Sequence, residues 1–428
     1  MGRTTRSKLT ATALSVFAAS SAIGVGMAST TANASTPISF QYWTTAWGPS
    51  EITAIDKAFD AANPGYKAVG DDIAKSDEFL PKVTAALKTN TQPTVVVDQH
   101  PYDLPFYEES GKLIPLTGQV PATNSLYPLI KKSLFYHGQQ LGMAMSGFGD
   151  IALYYNKADF AAAGITAPPT TWSQLTADAI KLTDPSAKRW GFYVPMGDAE
   201  WISYDWEPVL WGDGGTLLNS AGTKATFDSP AGVEALSTWI NLIKDKAAPA
   251  ASFASNGSYD GGNAFESNAV AMVTDGIWVD FATVPKGFSY GVAPFPSGSV
   301  GPSTNIGLAV SALFKTTTTQ DAAGLAFIKF LSTPAEGAWI ASQDYGEPDS
   351  PSQVSQPVLV PIAAKAPGYS TFTQIVKYGG LRPIVSQWGG VSADLYTEIS
   401  DALAGKVTAS QALSKAAQEA DVLLASNS

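Results

Sequence analysis

The chain contains no cysteine and only two histidines, His100 and His137, among its 428 residues. The lack of cysteine excludes disulfides and a lipid-modified N-terminal cysteine, so the fold must depend on its apolar cores. Two histidines without any thiolate also supply few of the ligands that transition metals prefer. We therefore expect no metal site.

Cofactor and nucleophile motifs are absent or incomplete. There is no P-loop, and Gly147-Phe148-Gly149 lacks the third glycine of a dinucleotide fingerprint. Residues 287–291, GFSYG, match a nucleophile elbow, but the prolines at 294 and 296 prevent the helix that must follow. We expect no cofactor. Glycosidase chemistry stays open because it needs only two carboxylates. The candidates for such a pair are Asp98, Asp103, Asp205 and Glu207.

A long apolar run occurs only near the N-terminus. Arg3, Arg6 and Lys8 precede the apolar segment Leu9–Ala28, and Ala32-Asn33-Ala34 supplies a small-x-small cleavage pattern. Residues 1–34 are therefore predicted to be a signal peptide. No later run approaches the ~20 apolar residues that cross a bilayer. We expect an exported protein, in a periplasm or at the extracellular cell surface.

Positive charge is scarce. The formal net charge is −11, and loss of three basic residues with the signal peptide takes it to about −14. Such a surface repels nucleic acid and anionic membranes, so neither is expected as a partner. Tryptophan, by contrast, is abundant. The 11 tryptophans exceed what two ordinary cores require, and surplus aromatic residues often line ligand clefts.

Hydrophobic periodicity predicts alternating strands and helices, which indicates an α/β chain with βαβ units. The predicted strands are Ile38–Trp43, Thr94–Asp98, Leu153–Tyr155 and Val270–Thr274. The predicted helices are Ser50–Asn63, Ser76–Lys88, Thr171–Lys181, Thr319–Leu331, Thr333–Gln343, Ala393–Ala404 and Ser410–Ala425. At this length, two domains are expected.

Several segments, in this order, resemble one known family. They are Ile38–Val69 with AFDAANPG, Gln92–Leu116 with VVVD and SGKLIPL, LYYNK at 153–157, PPTTWSQL at 168–175, and AFESNAVAMVTDGIW at 264–278. Ile306–Ser332 and the C-terminal ALSKAAQEADVLL complete the pattern. In order and spacing the chain resembles family 1 extracellular solute-binding proteins of ABC importers, the maltose-binding-protein-like group.

The resemblance implies a two-lobed periplasmic-binding-protein fold of the type II-like class, with a ligand cleft between lobes that several crossover segments join. The expected crossings lie near Ser146, Ile306 and Ser332. One lobe would comprise residues 35–145 with 306–331, and the other 147–305 with 333–428. Ligand would be enclosed by a hinge motion.

The same resemblance suggests aromatic platforms that stack on a ligand. Trp278 and Trp388 come first, followed by Tyr204, which lies nine residues before Asp213-Gly214-Gly215. Packing in a lobe core is the alternative for each. Further aromatic candidates are Trp43, Trp47, Trp201, Trp206 and Tyr345.

The polar candidates follow strands or lie in loops. Asp98 ends a predicted strand, Asp150 follows the first crossing, and Arg382 lies in an LRPIV segment. A salt bridge that anchors the C-terminal segment is the alternative for Arg382. Glu51 follows the first strand, and Glu347 lies in a loop that relatives often turn toward the cleft.

We therefore expect a monomeric receptor that binds a sugar, such as a di- or oligosaccharide, and delivers it to the membrane permease of an ABC transporter. It would perform no chemistry. Within the class, the alternative is a receptor for a glycerophosphodiester or glycerol phosphate, which would need several donors around the phosphate. From other classes, a secreted glycosidase and a non-transport carbohydrate-binding or adhesive module stay open.

Overall fold

A computed structural model describes residues 36–73, 76–98, 100–196, 199–250, 261–277, 288–343, 346–365 and 368–426. The signal-peptide prediction lies outside these residues. In chain order the strands are β1 (Ile38–Thr44), β2 (Tyr66–Asp72), β3 (Val95–Asp98), β4 (Leu113–Ile114), β5 (Phe135–Tyr136), β6 (Gln139–Gln140), β7 (Met143–Asn156), β8 (Met272–Gly276), β9 (Tyr290–Pro294), β10 (Thr304–Phe314) and β11 (Gly379–Gly380).

The helices alternate with these strands and dominate the C-terminal part. They are α1 (Pro49–Ala62), α2 (Ser76–Thr89), α3 (Leu104–Glu109), α4 (Pro128–Ser133), α5 (Lys157–Ala162), α6 (Trp172–Leu182), α7 (Ala199–Gly212), α8 (Pro230–Lys244), α9 (Gly261–Glu266), α10 (Thr318–Leu331), α11 (Pro334–Gln343), α12 (Pro351–Val354), α13 (Val360–Lys365), α14 (Tyr369–Ile375), α15 (Trp388–Leu403) and α16 (Ala409–Ala425). No helix in the described ranges is long and apolar enough to span a bilayer.

Local sequence signals account for most helix starts. Thr171, Ser229, Thr317 and Thr408 each accept a backbone N–H of the first turn at the start of α6, α8, α10 and α16. Such caps satisfy N–H groups that have no partner inside the helix. The predicted bounds of α6, α10 and α16 therefore agree with the structure to within one residue, whereas α8 was not predicted. The start of α15 was missed by five residues, because the adjacent Gly389 and Gly390 are poor helix formers.

The main sheet has the order β2-β1-β3-β10-β7-β8. Strand β1 is parallel to β2 and β3, as βαβ units require, whereas β10 runs antiparallel to β3 and β7. Strands β8 and β9 are both antiparallel to β7. Strand β7 is much longer than the predicted Leu153–Tyr155, because glycine and polar residues interrupt its apolar pattern.

Two large apolar cores lie along this sheet. Core 1 packs β1, β3 and β10 against α1, α2 and α10, and core 2 packs α7, α8, α15 and α16 around the second half of β7. Strand β7 contributes Met143 and Met145 to core 1, and Ile151 and Leu153 to core 2. One strand therefore joins the two cores near Ser146, where the first crossing is expected.

The predicted lobe boundaries remain predictions. One observation bears on the boundary near Ser332: Ile340 of α11 packs in core 1, although it follows that residue. Ala338 and Ala341 of the same helix form a separate small cluster with Leu359.

Candidate ligand-binding site

Tyr204 lies against β7 and β10 where these strands pair between the two cores. Gly307 pairs with Gly149, and the adjacent Ile306 pairs with Asp150. A Cβ atom at position 307 would lie 2.8 Å from the hydroxyl oxygen of Tyr204. Glycine at this position therefore permits the close approach of the Tyr204 ring from α7.

Two buried carboxylates meet beside this tyrosine. Asp150 has no exposed surface, and within the described ranges neither of its carboxylate oxygens has a hydrogen-bond partner. The Glu347 side chain, which is also buried, accepts a hydrogen bond from the backbone N–H of Asp150. Burial raises the pKa of Glu347 to about 8, and burial together with the charge of Glu347 raises the pKa of Asp150.

Three tyrosines interact electrostatically with this pair. Burial and then the charge of Glu347 raise the pKa of Tyr127 and of Tyr369, and the charge of Asp150 acts on Tyr204, so all three rings lie within electrostatic range of the carboxylates. The hydroxyls of Tyr204 and Tyr369 are buried and have no hydrogen-bond partner among the described residues. Buried polar atoms nearly always have a partner, so these atoms indicate a place for ligand or water.

Each nitrogen of the Arg382 guanidinium has a hydrogen-bond partner within the protein. Its Nε lies 2.9 Å from one oxygen of Glu207, and its Nη1 pairs with Glu200. Its Nη2 donates to the hydroxyl of Ser203 at 3.2 Å, and the guanidinium lies 5.0 Å from the ring centre of Tyr204. The structure thus favours the anchoring alternative for Arg382 over direct ligand contact.

Four of the predicted tryptophan platforms are core residues in this structure. Trp206 and Trp388 have no exposed surface and pack in core 2. Trp43 and Trp47 are buried in core 1, with Lys82 lying 4.6 Å from the ring centre of Trp43. Burial in the apolar cores favours the packing alternative for these four residues over stacking on a sugar.

Trp201 is the tryptophan candidate that keeps partial exposure in the described ranges. It lies on α7, one turn before Tyr204, and the two ring centres are 5.3 Å apart. Glu51 is half-buried in the first turn of α1, where it accepts a hydrogen bond from the hydroxyl of Ser50 at 2.9 Å. It has no contact with the tyrosines or the carboxylate pair among the described residues.

Three predictions cannot be placed. Trp278 and Tyr345 lie outside the described residues, as does the side chain of Asp98. The backbone of Asp98 is the last residue of β3 and pairs with Val310 of β10. These three residues stay predictions.

The carboxylates that left glycosidase chemistry open have other partners. Asp205 accepts a hydrogen bond from Thr274 at 2.7 Å, and Glu207 is bound by Arg382 and by Asn305 at 2.5 Å. Asp103 is buried, and its carboxylate lies 3.7 Å from the imidazole of His100. The described carboxylates of this group are therefore engaged within the protein.

Sequence reasoning missed two of the three tyrosines in this cluster. Tyr127 immediately precedes α4, and Tyr369 opens α14. Neither lies in a recognisable motif, because tyrosine occurs equally in cores and in ligand sites. Their electrostatic interaction with Glu347, which depends on the tertiary structure, is what distinguishes them.

Two apolar cores that share strands, with buried polar atoms between them that have no partner among the described residues, are typical of a two-lobed binding protein. The chain belongs to the bacterial extracellular solute-binding protein family, whose model matches residues 44–338. Its export follows from this membership.

Solved structures show the same fold. The cyclic α-maltosyl-1,6-maltose binding protein from Arthrobacter globiformis is 23% identical, with a TM-score of 0.79, over 91% of this chain and 99% of that one. The GacH receptor of Streptomyces glaucescens, solved unliganded and with acarbose, is 24% identical, with a TM-score of 0.77, over 92% and 100% of the two chains. UgpB from Mycobacterium tuberculosis, solved with glycerophosphocholine, is 20% identical, with a TM-score of 0.78, over 91% and 99%. At these identities the likeness establishes the fold, and the ligands are those of the three proteins named.

Proposed function

We propose that this protein is a receptor that captures a sugar, a di- or oligosaccharide, and delivers it unchanged to the permease of an ABC transporter. The observation that carries the proposal is the cluster of Asp150, Glu347 and the tyrosines, which we name the tyrosine–carboxylate site (Tyr127, Asp150, Tyr204, Glu347, Tyr369). Sugars present apolar C–H faces that pack on aromatic rings and hydroxyls that donate to carboxylates. Solved relatives of this fold include receptors for maltose-type saccharides.

The glycerophosphodiester alternative has a specific precedent in the UgpB complex. A phosphate, however, needs positive charge or several donors, and Arg382 is already bound by Glu200 and Glu207. Asp150 and Glu347 supply no positive charge in either protonation state. The lack of an available cation among the described residues of the site therefore supports the sugar over the phosphodiester.

Ligand capture would close the lobes around the site. Because β7 contributes to both cores, the lobes would rotate about the shared strands as near-rigid bodies. Trp201 and Tyr204 would supply the exposed aromatic surface, and Trp278, Tyr345 and Asp98 remain candidates for further contacts.

The proposal is tested by a thermal-shift screen of oligosaccharides against glycerophosphodiesters, followed by calorimetric titration of each hit. A ligand that binds only the folded state raises the melting temperature. At a ligand concentration about 100 times Kd, it raises the free energy of unfolding by about 2.7 kcal/mol. We expect shifts with oligosaccharides and 1:1 binding. A shift with glycerophosphodiesters alone would contradict the sugar assignment.

The same saccharides show whether the protein leaves its ligand chemically unchanged. After long incubation with a stoichiometric amount of protein, the saccharide should be recovered intact by mass spectrometry. The control is Asp150→Asn, which removes a charged carboxylate from the site and retains the shape. If the wild-type protein converts the saccharide and Asp150→Asn does not, the protein is an enzyme instead.

A further inference from the structure

The carboxylate pair in the tyrosine–carboxylate site has no positive partner among the described residues. Asp150 is completely buried, and both of its oxygens are without hydrogen-bond partners in the described part of the chain. Glu347 is 1% exposed, and its Oε1 is likewise without a partner there. Removing a carboxylate from water is costly unless a cation or several donors face it.

The basic side chain that lies over the ring of Tyr204, Arg382, is already neutralised. Arg382 acts electrostatically on Tyr204, yet its Nε and Nη1 are bound to Glu207 and Glu200. Glu207 also accepts from Asn305, so that ion-pair network is satisfied on its own. Within the described ranges, no Lys, Arg or His pairs with either carboxylate of the site.

The remaining walls of the site are suited to a cation. Tyr127 and Tyr369 lie within electrostatic range of Glu347, and the Tyr204 hydroxyl approaches Gly307, whose neighbour Ile306 pairs with Asp150. The hydroxyls of Tyr204 and Tyr369 are buried acceptors with no hydrogen-bond partner among the described residues. Tyrosine faces attract cations, and the attraction grows when water is excluded. A neutral hydroxyl could donate one hydrogen bond to such a carboxylate, but it would not balance the negative charge.

We propose, on the basis of the sugar-receptor function above, that the ligand carries a protonated amine and that this ammonium group lies between Asp150 and Glu347. The chemical class is an amino sugar or an amine-containing pseudo-oligosaccharide. The ammonium donates charge-assisted hydrogen bonds to both carboxylates, while the sugar rings contact the tyrosines. Binding of the cation then ionises acids that burial keeps protonated, and it releases protons to the solvent.

The test compares saccharides that differ in the amine. Calorimetric titrations use acarbose against maltotetraose, and the fully deacetylated glucosamine dimer against cellobiose. We expect the amine-containing member of a pair to bind roughly 10- to 150-fold more tightly, the range given by hydrogen bonds to charged groups. Titration in two buffers of different ionisation enthalpy should show proton release with the amine and none with the neutral partner.

Variants of the two acids test whether the amine preference arises at Asp150 and Glu347. Asp150→Asn and Glu347→Gln should remove most of the amine preference, measured as the ratio of the affinities for the amine and the neutral saccharide in each variant, even where both affinities fall. Asp275→Asn is the matched control, because Asp275 is an acid that is also buried but accepts from the backbone N–H of Gly276 at the end of β8, and its substitution should leave the preference unchanged. If a site variant fails to fold, the proton-release measurement on the wild-type protein decides the question.

The outcomes separate this inference from the proposed function. Equal affinity for amine and neutral saccharides, with no proton release, would overturn the inference and retain the sugar receptor. Binding of glycerophosphocholine but of no saccharide, with the same dependence on Asp150, would support a cation site and overturn the sugar assignment. Binding of none of these probes would overturn both.

Discussion

Trp201 and Trp388 have the same side chain but different surroundings. Trp388 is enclosed in core 2, whereas Trp201 is half-buried and packs on Tyr204 beside the site. Burial of an indole contributes mainly to folding, and an exposed indole face can contribute to ligand binding. The two residues should therefore respond oppositely to truncation.

Trp388→Ala should lower the free energy of unfolding by about 3–5 kcal/mol through the cavity that it leaves. The folded fraction should bind ligand with wild-type affinity. Trp201→Ala should instead weaken binding by about 1–3 kcal/mol, by analogy with base–aromatic stacking, with a small loss of stability. Denaturant unfolding and calorimetry measure both quantities. Loss of affinity in Trp388→Ala at unchanged stability would return this residue to the binding site.

At the scale of elements, helix α16 shows how local sequence defines a boundary. Thr408 accepts the backbone N–H of Gln411, and the Gln411 side chain accepts the backbone N–H of Thr408. This reciprocal pair satisfies two N–H groups at the helix start. The apolar face of α16 then packs Leu413, Ala416 and Ala420 into core 2.

Thr408→Ala should lower the free energy of unfolding by about 1 kcal/mol, the usual effect of losing an N-cap. Thr397→Ala is the matched control, because Thr397 is exposed in the interior of α15 and its hydroxyl bonds only to the Ala393 carbonyl. Its effect should stay within about 0.5 kcal/mol. Urea unfolding compares the two. Equal effects would mean that the cap does not stabilise α16.

At the scale of the whole molecule, several buried acids are protonated more readily in the folded protein than in the unfolded chain. Burial raises the pKa of Asp205 to about 8, of Glu207 to about 7 and of Glu347 to about 8. An unfolded carboxyl releases its proton near pH 4. Between about pH 4 and the raised pKa, the folded chain therefore binds more protons than the unfolded chain at these sites, and stability falls as the pH rises.

Asp205→Asn tests this for one site. The amide can still accept from Thr274, so the variant and the wild-type protein should be similarly stable near about pH 5. Toward about pH 8 the wild-type protein should lose up to about 1.4 kcal/mol per pH unit relative to the variant. Urea unfolding across this pH range gives the difference. A constant difference at all pH values would show that Asp205 is ionised in the folded protein.

The sequence by itself determined the elements and their order. Capping residues, apolar periodicity and the β-branched run before Asp98 depend on neighbours within a few positions, so β1, α1, β3 and α10 were predicted close to their observed bounds. The order of the motifs also identified the family and the two-lobed fold. Asp150, Tyr204 and Glu347 were found as candidates for the same reason, because each occupies a fixed place in that order.

Only the tertiary structure decided which aromatic residues are accessible and which charges are paired. Arg382 meets Glu207 across 175 positions, and Asn305 meets Glu207 across 98. Trp388 is covered by residues from distant helices of core 2, which no local pattern reveals. Burial and ion pairing depend on contacts between segments far apart in the chain, whereas secondary structure depends mainly on adjacent ones. The roles of Trp388 and Arg382 therefore could not be read from their own surroundings in the sequence.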